Sequence, residues 1–279
     1  MTWWQLTRMS SGRQPEMAID LARSLLRRYP GLRSTWPVQQ ASAWRQRQSR
    51  RAHPRRMASW YREAADMHTR LFMSNLELPE ASQLCEPTTV LLTLMDEDGA
   101  RVAQRRFSLQ RNASLALELG DLLPPARRGH VQSGQVTMDF EGQQLGSSRA
   151  YLHWYNARSL TSSHEKFGLT IPAVGGYWTV PNVQDSDDYR VFLAVANLDT
   201  RSYVSDVTLK DDEGHALHAQ VELPPNGSRF LSLDALFQNP RGFLHDQPGV
   251  LYFGNNRQPA MYYYFVQNQR LGTWRAQHL

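Results

Sequence analysis

The sequence predicts a mainly β protein: two tandem antiparallel β-sandwiches from an internal duplication, preceded by a helical, arginine-rich segment. Three observations predict it. First, one stretch occurs twice, from Asn75 to Leu122 and from Asn197 to Leu236. Leu92-Thr93-Leu94 matches Val207-Thr208-Leu209, and an acidic turn follows each, Asp96-Glu97-Asp98-Gly99 and Asp211-Asp212-Glu213-Gly214. After a one-residue shift, Leu109, Asn112, Ser114, Leu117, Leu119 and Leu122 fall on Leu223, Asn226, Ser228, Leu231, Leu233 and Leu236, the self-similarity that marks a repeat. Second, beyond Arg70 short apolar runs alternate with turn signals roughly every eight to twelve residues, the spacing of sandwich strands. Third, 279 residues with 41% hydrophobic and 10% aromatic content suffice for two cores and an appendage. The expected divisions are 1–69, 70–160 and 161–279.

The first division is basic. Residues 1–70 hold 14 Arg, no Lys and four acids, a net +10 against +5 for the whole chain, so the remainder carries −5. Pro15 and Glu16 suit the first turn of a helix whose apolar stripe is Met17, Leu21 and Leu25 and which Tyr29-Pro30-Gly31 ends. Two further helices are expected over Gln39–Arg51 and Arg56–His68, divided by Pro54. Trp44, Trp60 and Tyr61 stand among Arg45, Arg47, Arg50, Arg51, Arg55 and Arg56. Such a run suits nucleic-acid phosphates with rings to stack, or anionic lipid headgroups; the plainer reading is a solvated basic surface.

Strands are expected in the first copy over Leu71–Asn75, Thr89–Met95, Arg101–Leu109, Ser114–Leu119, Gln135–Phe140 and Arg149–Asn156. In the second they fall over Tyr189–Asn197, Tyr203–Lys210, His215–Leu223, Ser228–Leu233, Val250–Phe253 and Ala260–Gln267. The bridge Thr161–Asp188 holds two apolar pieces ending in Pro172 and Pro181. Proline cannot donate to a ladder, so these read as edge strands in a structured crossover. The acidic turns are hairpins: Asp suits the first turn position, Gly supplies positive φ, and four residues are too few for a calcium loop. Asn112 and Asn226 read as left-handed turn residues rather than glycan acceptors.

The last strand of each copy carries the candidate site. Ala150, Tyr151, Leu152, His153, Trp154 and Tyr155 align with Ala260, Met261, Tyr262, Tyr263, Tyr264 and Phe265. Alternation puts Tyr151, His153 and Tyr155 on one face with Met261, Tyr263 and Phe265, opposite Leu152, Trp154, Tyr262 and Tyr264. One face is core. The other, with Tyr151, His153, Tyr155, Tyr263 and Phe265, is covered by protein or stacks on a planar or sugar ligand.

Nothing in the sequence names a reaction. There is no Gly-x-Ser-x-Gly, phosphate loop or His-Glu-x-x-His motif. His215 and His218 lie three apart on a strand, on opposite faces, which argues against shared zinc. No catalytic residue, metal or cofactor is therefore assigned. Cys85 is the only cysteine, so no intrachain disulfide forms, which fits a reducing compartment. No apolar run approaches the roughly 20 residues of a membrane span, and the polar residues after Trp4 leave no room for a signal-peptide core. A cytoplasmic protein is expected.

Val191–Asn197, Val204–Leu209, the Asp211–Gly214 turn, Leu223-Pro224-Pro225-Asn226, Leu231–Leu236 and Pro259–Val266, preceded by Gly176-Tyr177-Trp178 and Pro181, resemble the small β-sandwich of the sensory rhodopsin transducer family. The resemblance covers roughly residues 176–268 and, more faintly, 71–156. It implies a soluble cytoplasmic bacterial protein that acts by binding, assembles as an oligomer and shares its fold with carbohydrate-binding modules. The duplication and the basic N-terminal segment depart from that family's single-domain pattern, and no functional residue is carried over. The expected function is a non-enzymatic binding or scaffold protein with a protein partner or self-association. The alternatives are carbohydrate binding or sugar processing through the aromatic face, and nucleic-acid binding through the arginine-rich segment.

Overall fold

A computed structural model describes residues 55–76, 87–141, 147–165, 178–254 and 260–278, all within one compact unit that runs from Pro54 to Leu279. The helices expected over residues 15–29 and 39–51 lie outside the described residues.

The first sandwich comprises β1 (Arg55–Glu63), β2 (His68–Leu76), β3 (Thr88–Asp96), β4 (Arg101–Leu109), β5 (Ala113–Glu118), β6 (Gln132–Glu141), β7 (Ser147–Tyr155) and β8 (Leu160–Glu165). The second comprises β9 (Trp178–Val183), β10 (Tyr189–Asn197), β11 (Tyr203–Lys210), β12 (Ala216–Leu223), β13 (Ser228–Ser232), β14 (Gly249–Phe253), β15 (Ala260–Asn268) and β16 (Thr273–His278). One sandwich pairs the sheets β1-β6-β3-β4 and β5-β2-β7-β8, the other β9-β14-β11-β12 and β13-β10-β15-β16, so the topology repeats strand for strand. Every pairing is antiparallel. Short helices follow the fifth strand of each copy, α1 (Leu119–Leu122) and α2 (Leu233–Leu236), and the second copy adds α3 (Pro240–Leu244).

The twelve expected strands are present, and two turn predictions hold in detail. Gly99 and Gly214 have φ of 79° and 90°, while Asn112 and Asn226 have 54° and 53°. Asp96 and Asp211 close their hairpins by accepting the backbone N–H of Ala100 (2.9 Å) and His215 (2.7 Å).

The segment Arg56–His68 is not a helix, and the first sandwich starts at Arg55 rather than residue 70. Met57, Trp60, Tyr61, Ala64 and Met67 recur at helical spacing, but β1 is buried from Met57 through Tyr61 on both faces, so its apolar residues do not alternate and the period misleads. An Ala64–Met67 turn, with Ala64 N–H donating to the Met67 carbonyl at 2.8 Å, leads into β2.

Burial on both faces has a cause. Val191, Leu193, Val195, Tyr262 and Tyr264 form the core of the second sandwich. From the opposite face of the same sheet, Ala194, Ala196, Met261, Tyr263, Phe265 and Trp274 join Met57, Trp60, Leu152 and Trp154 in the core of the first. Thus β13-β10-β15-β16 is a shared middle sheet, docked on the β1 side of the first sandwich. Phe230 stacks on Trp60 (centroids 4.9 Å, planes 20° apart) and lies under the Arg62 guanidinium at 4.7 Å. Trp154 meets Tyr263 and Phe265 edge-on at 5.3 and 5.2 Å.

Polar groups lock the joint around this apolar centre. The Ser59 and Tyr263 hydroxyls are 2.7 Å apart and buried, and Gln135 donates to the Asn197 carbonyl at 2.8 Å. The first acidic hairpin is part of the joint as well: Ser228 N–H and Arg229 donate to the Glu97 carbonyl at 2.9 and 2.8 Å, and Arg229 pairs with Asp98 at 3.2 Å.

The two hairpin glycines therefore differ in their surroundings. A Cβ on Gly99 would sit 2.0 Å from the Pro225 carbonyl oxygen, whereas one on Gly214 would meet nothing within 4 Å. Gly214→Ala is expected to cost only the left-handed backbone strain, about 1–2 kcal/mol. Gly99→Ala adds a backbone clash of about 1–3 kcal/mol by the scale of overpacked interiors. Urea denaturation of the two variants checks the difference; equal midpoints would mean the hairpin does not hold the sandwiches together.

Candidate functional site

The predicted site residues divide between two versions of one sheet face. Tyr263 and Phe265 are fully buried in the joint. Tyr151, His153 and Tyr155 are half-exposed on the outer face of β5-β2-β7-β8. The two sets occupy equivalent faces but do not come together.

The pairing also corrects the alignment of the last strands. Asn75 and Asn197 are equivalent, since each donates its side-chain amide to the same turn carbonyl, Gln110 at 3.3 Å and Pro224 at 2.9 Å. Counting back from them, Phe72 corresponds to Ala194 and Arg70 to Phe192. Phe72 pairs with Tyr151 and Arg70 with His153, whereas Ala194 pairs with Tyr263 and Phe192 with Phe265. Tyr151 is thus the counterpart of Tyr263, and His153 of Phe265, two residues away from the sequence alignment. An even shift preserves alternation, so the expected faces stand while the expected partners change.

The substitutions across this face explain its two fates. Phe192, Phe265 and Phe230 in the covered copy become Arg70, His153 and Ala116 in the open one, by the same pairings. Three phenyl rings thus give way to a guanidinium, an imidazole and a methyl group, while Ala194 of the covered copy is matched by Phe72. On the open face Arg70 pairs with Glu118 through its Nε, the Tyr155 hydroxyl donates to the other Glu118 oxygen at 2.7 Å, and the guanidinium lies over the Tyr155 ring at 4.9 Å. Phe72 and His153 contact at 4.5 Å between centroids, and His68 stands 5.8 Å from Tyr155 while bonding Glu63 at 3.1 Å. The result is a set of rings with a carboxylate and a guanidinium fixed among them. Glu118 and Arg70 had no signal in the sequence, because neither lies near Tyr155 along the chain and only strand pairing joins them.

Burial lowers the His153 pKa, with the Arg70 charge adding to the effect. Its Nδ1 has no hydrogen-bond partner among the described residues, so a proton there would be a buried donor without an acceptor.

The nucleic-acid candidates fare differently. Arg45, Arg47, Arg50 and Arg51 lie outside the described residues, and Arg55 is the first residue of β1. Arg56 makes a two-pronged pair with Asp139 at 2.7 and 3.0 Å, which already supplies its anion. Cys85 also falls outside the described residues. His215 bonds Asp211 at 2.8 Å and His218 bonds Thr208 at 3.0 Å. Among the described residues no helix is long and apolar enough to cross a membrane.

Two outcomes follow from burial. Tyr263→Ala is expected to destabilise the protein by about 3–5 kcal/mol, as for other buried aromatic truncations. Tyr151→Ala, at the matching position, should cost less, about 1–2 kcal/mol, because its side chain is only partly buried; paired urea titrations measure both. A group whose pKa is lowered on folding takes its proton first in the unfolded chain, so the His153 contribution to stability is present above about pH 6.5 and falls as pH drops through that value. His153→Gln should flatten the acid limb of the stability–pH curve; an unchanged limb would show that His153 does not titrate with folding.

No protein-family model matches the chain, and no curated protein does. Among solved structures it aligns with a β-glucuronidase of Bacteroides uniformis at 8% identity, over 81% of this chain and 26% of that one, with a TM-score of 0.17. A GH2 β-galacturonidase of Eisenbergiella tayi, solved with galacturonate, aligns at 11% identity over 85% and 37%, with a TM-score of 0.18. A glycosyl hydrolase family 2 member of Bacteroides cellulosilyticus aligns at 13% identity over 80% and 28%, with a TM-score of 0.17. The chain spans about a quarter to two fifths of the length of these proteins. Likeness at that level carries no statement about activity.

Proposed function

We propose that this is a non-enzymatic binding protein in which the second sandwich serves as support and the outer face of β5-β2-β7-β8 binds carbohydrate. One observation carries the reading: the same face occurs twice, and the copy left open keeps half-exposed Phe72, Tyr151 and Tyr155 beside the fixed Arg70–Glu118 pair. Rings offer an apolar platform for the C–H face of a sugar, and a carboxylate beside a guanidinium offers an acceptor and donors for its hydroxyls. Sites of this kind need few polar groups if these are held in place. Here the Tyr155 hydroxyl and the two strand registers hold them.

A protein partner is the second reading, favoured by the covered copy, where the equivalent face packs against a sandwich. Calorimetric titration with a panel of neutral and uronate-containing oligosaccharides separates the two. The carbohydrate reading expects binding that falls at least about tenfold, or roughly 1.4 kcal/mol, in Phe72→Ala/Tyr151→Ala while the fold is kept. If every oligosaccharide fails and Tyr151→Arg instead changes the oligomeric state by light scattering, the face is a protein interface. Undiminished sugar binding in the double variant would place the site elsewhere.

A further inference from the structure

Between β4 and the segment that follows α1, the first sandwich has a cavity of about 370 Å³, within the range of roughly 300–1,000 Å³ usual for small-molecule sites. Its lining combines Leu92, Leu122 and Leu123 with Arg105, Asp121 and Arg128. Leu92 and Leu123, 1% and 2% exposed, close it off from the core, and Ala103, Leu122, Pro124 and Pro125 supply its accessible apolar lining.

The duplication supplies an internal control. Leu94 pairs with Ala103, and its counterpart Leu209 pairs with Leu217; Leu92 pairs with Arg105, and its counterpart Val207 pairs with Ala219. Leu123 caps α1 where Phe237 caps α2. In the second sandwich Leu217 and Phe237 pack into the core. The first copy therefore carries smaller side chains at two positions of the same corner, Ala103 and Leu123, a larger one at Leu92 against Val207, and a guanidinium where the second has a methyl group. Shrinking two core-directed side chains forfeits packing, and the cation stands at the space so opened.

The cations are arranged rather than merely nearby. Arg128 is held by bonds from its Nε to the Leu123 carbonyl (2.9 Å) and from an Nη to the Asp121 carbonyl (2.7 Å). These bonds fix the guanidinium plane and leave its charge unmatched by either acceptor. Arg105 makes a ring contact with Phe107 at 5.9 Å and no ion pair with any described residue. Two guanidiniums and one carboxylate over an apolar lining select an anion with an apolar body.

From this corner we infer that the first sandwich has a second binding site, distinct from the open sheet face, for a small carboxylate with an apolar ring or chain. The carboxylate lies at Arg105 and Arg128, where a planar fork suits it, and the apolar body lies against Ala103, Leu122, Pro124 and Pro125.

Benzoate is the probe and benzyl alcohol its uncharged counterpart, followed by backbone amide shifts of the full chain. Benzoate should give saturable shifts confined to β4 and residues 119–128, and benzyl alcohol should bind at least about tenfold more weakly. Ala103→Leu/Leu123→Phe fills the space with the side chains the second copy holds and should abolish the benzoate shifts. Arg105→Gln, an exposed change that leaves the core intact, should weaken benzoate at least about tenfold while leaving benzyl alcohol unchanged, and it decides the matter if the filled variant does not fold. The inference is overturned by benzoate shifts that do not saturate or map elsewhere, by equal affinity for the two probes, or by unchanged benzoate affinity in Arg105→Gln.

Discussion

The aromatic joint of Trp60, Trp154, Phe230, Tyr263 and Phe265 is the constraint on which the rest depends. It makes one sheet, β13-β10-β15-β16, the wall of two cores at once. The middle of β15 is buried on both faces and carries no charge, which accounts for the aromatic character of both its sides, while Arg190 and Arg229 on the neighbouring strands find carboxylate partners at its margins. The joint also buries both faces of β1, an edge strand in the pairing sense, and so shields part of a sheet edge that would otherwise offer its backbone groups to another chain. Around the apolar centre, hydrogen bonds between Ser59 and Tyr263, Gln135 and Asn197, and the first acidic hairpin and Ser228–Arg229 set the orientation. Rings supply burial, and the polar contacts supply register.

Duplication followed by divergence explains where function is available. Both copies keep the sandwich topology and the asparagine that ties the second strand of each copy to its turn. They differ where their environments differ. The face that meets protein holds Phe192, Phe230 and Phe265; the face that meets water holds Arg70, Ala116 and His153 in their places. The corner beside the short helix holds Leu217 and Phe237 in one copy and Ala103 and Leu123 in the other. The first sandwich thus carries both surfaces proposed to take a ligand, and the second has the equivalent face of its own sheet covered by protein.

Alternation, turn chemistry and self-similarity were legible in the sequence because each is local. Strands with one buried face announce themselves by period, the Asp–Gly hairpins by the φ their glycine requires, and the repeat by its own copy. β1, β8 and β16 were not legible. β1 is buried on both sides and so reads with the spacing of a helix. β8 and β16, at the sheet edges, carry too few apolar residues to show a period. The site was half legible: the aromatic residues of β7 and β15 stood out, but their true counterparts lay two residues away, because a shift of two preserves parity and leaves every residue on its expected face.

By itself the sequence determined the class of fold, the duplication, the turns and the division of each final strand's side chains between its two faces, all properties of neighbours along the chain. Only the tertiary structure decided which of the two equivalent faces is covered, that β1 belongs to the first sandwich, and that Arg70, Glu118 and Tyr155 meet. The physical reason is that burial and ion pairing are set by contacts between distant segments. Identical alternation serves an open face and a closed one equally well.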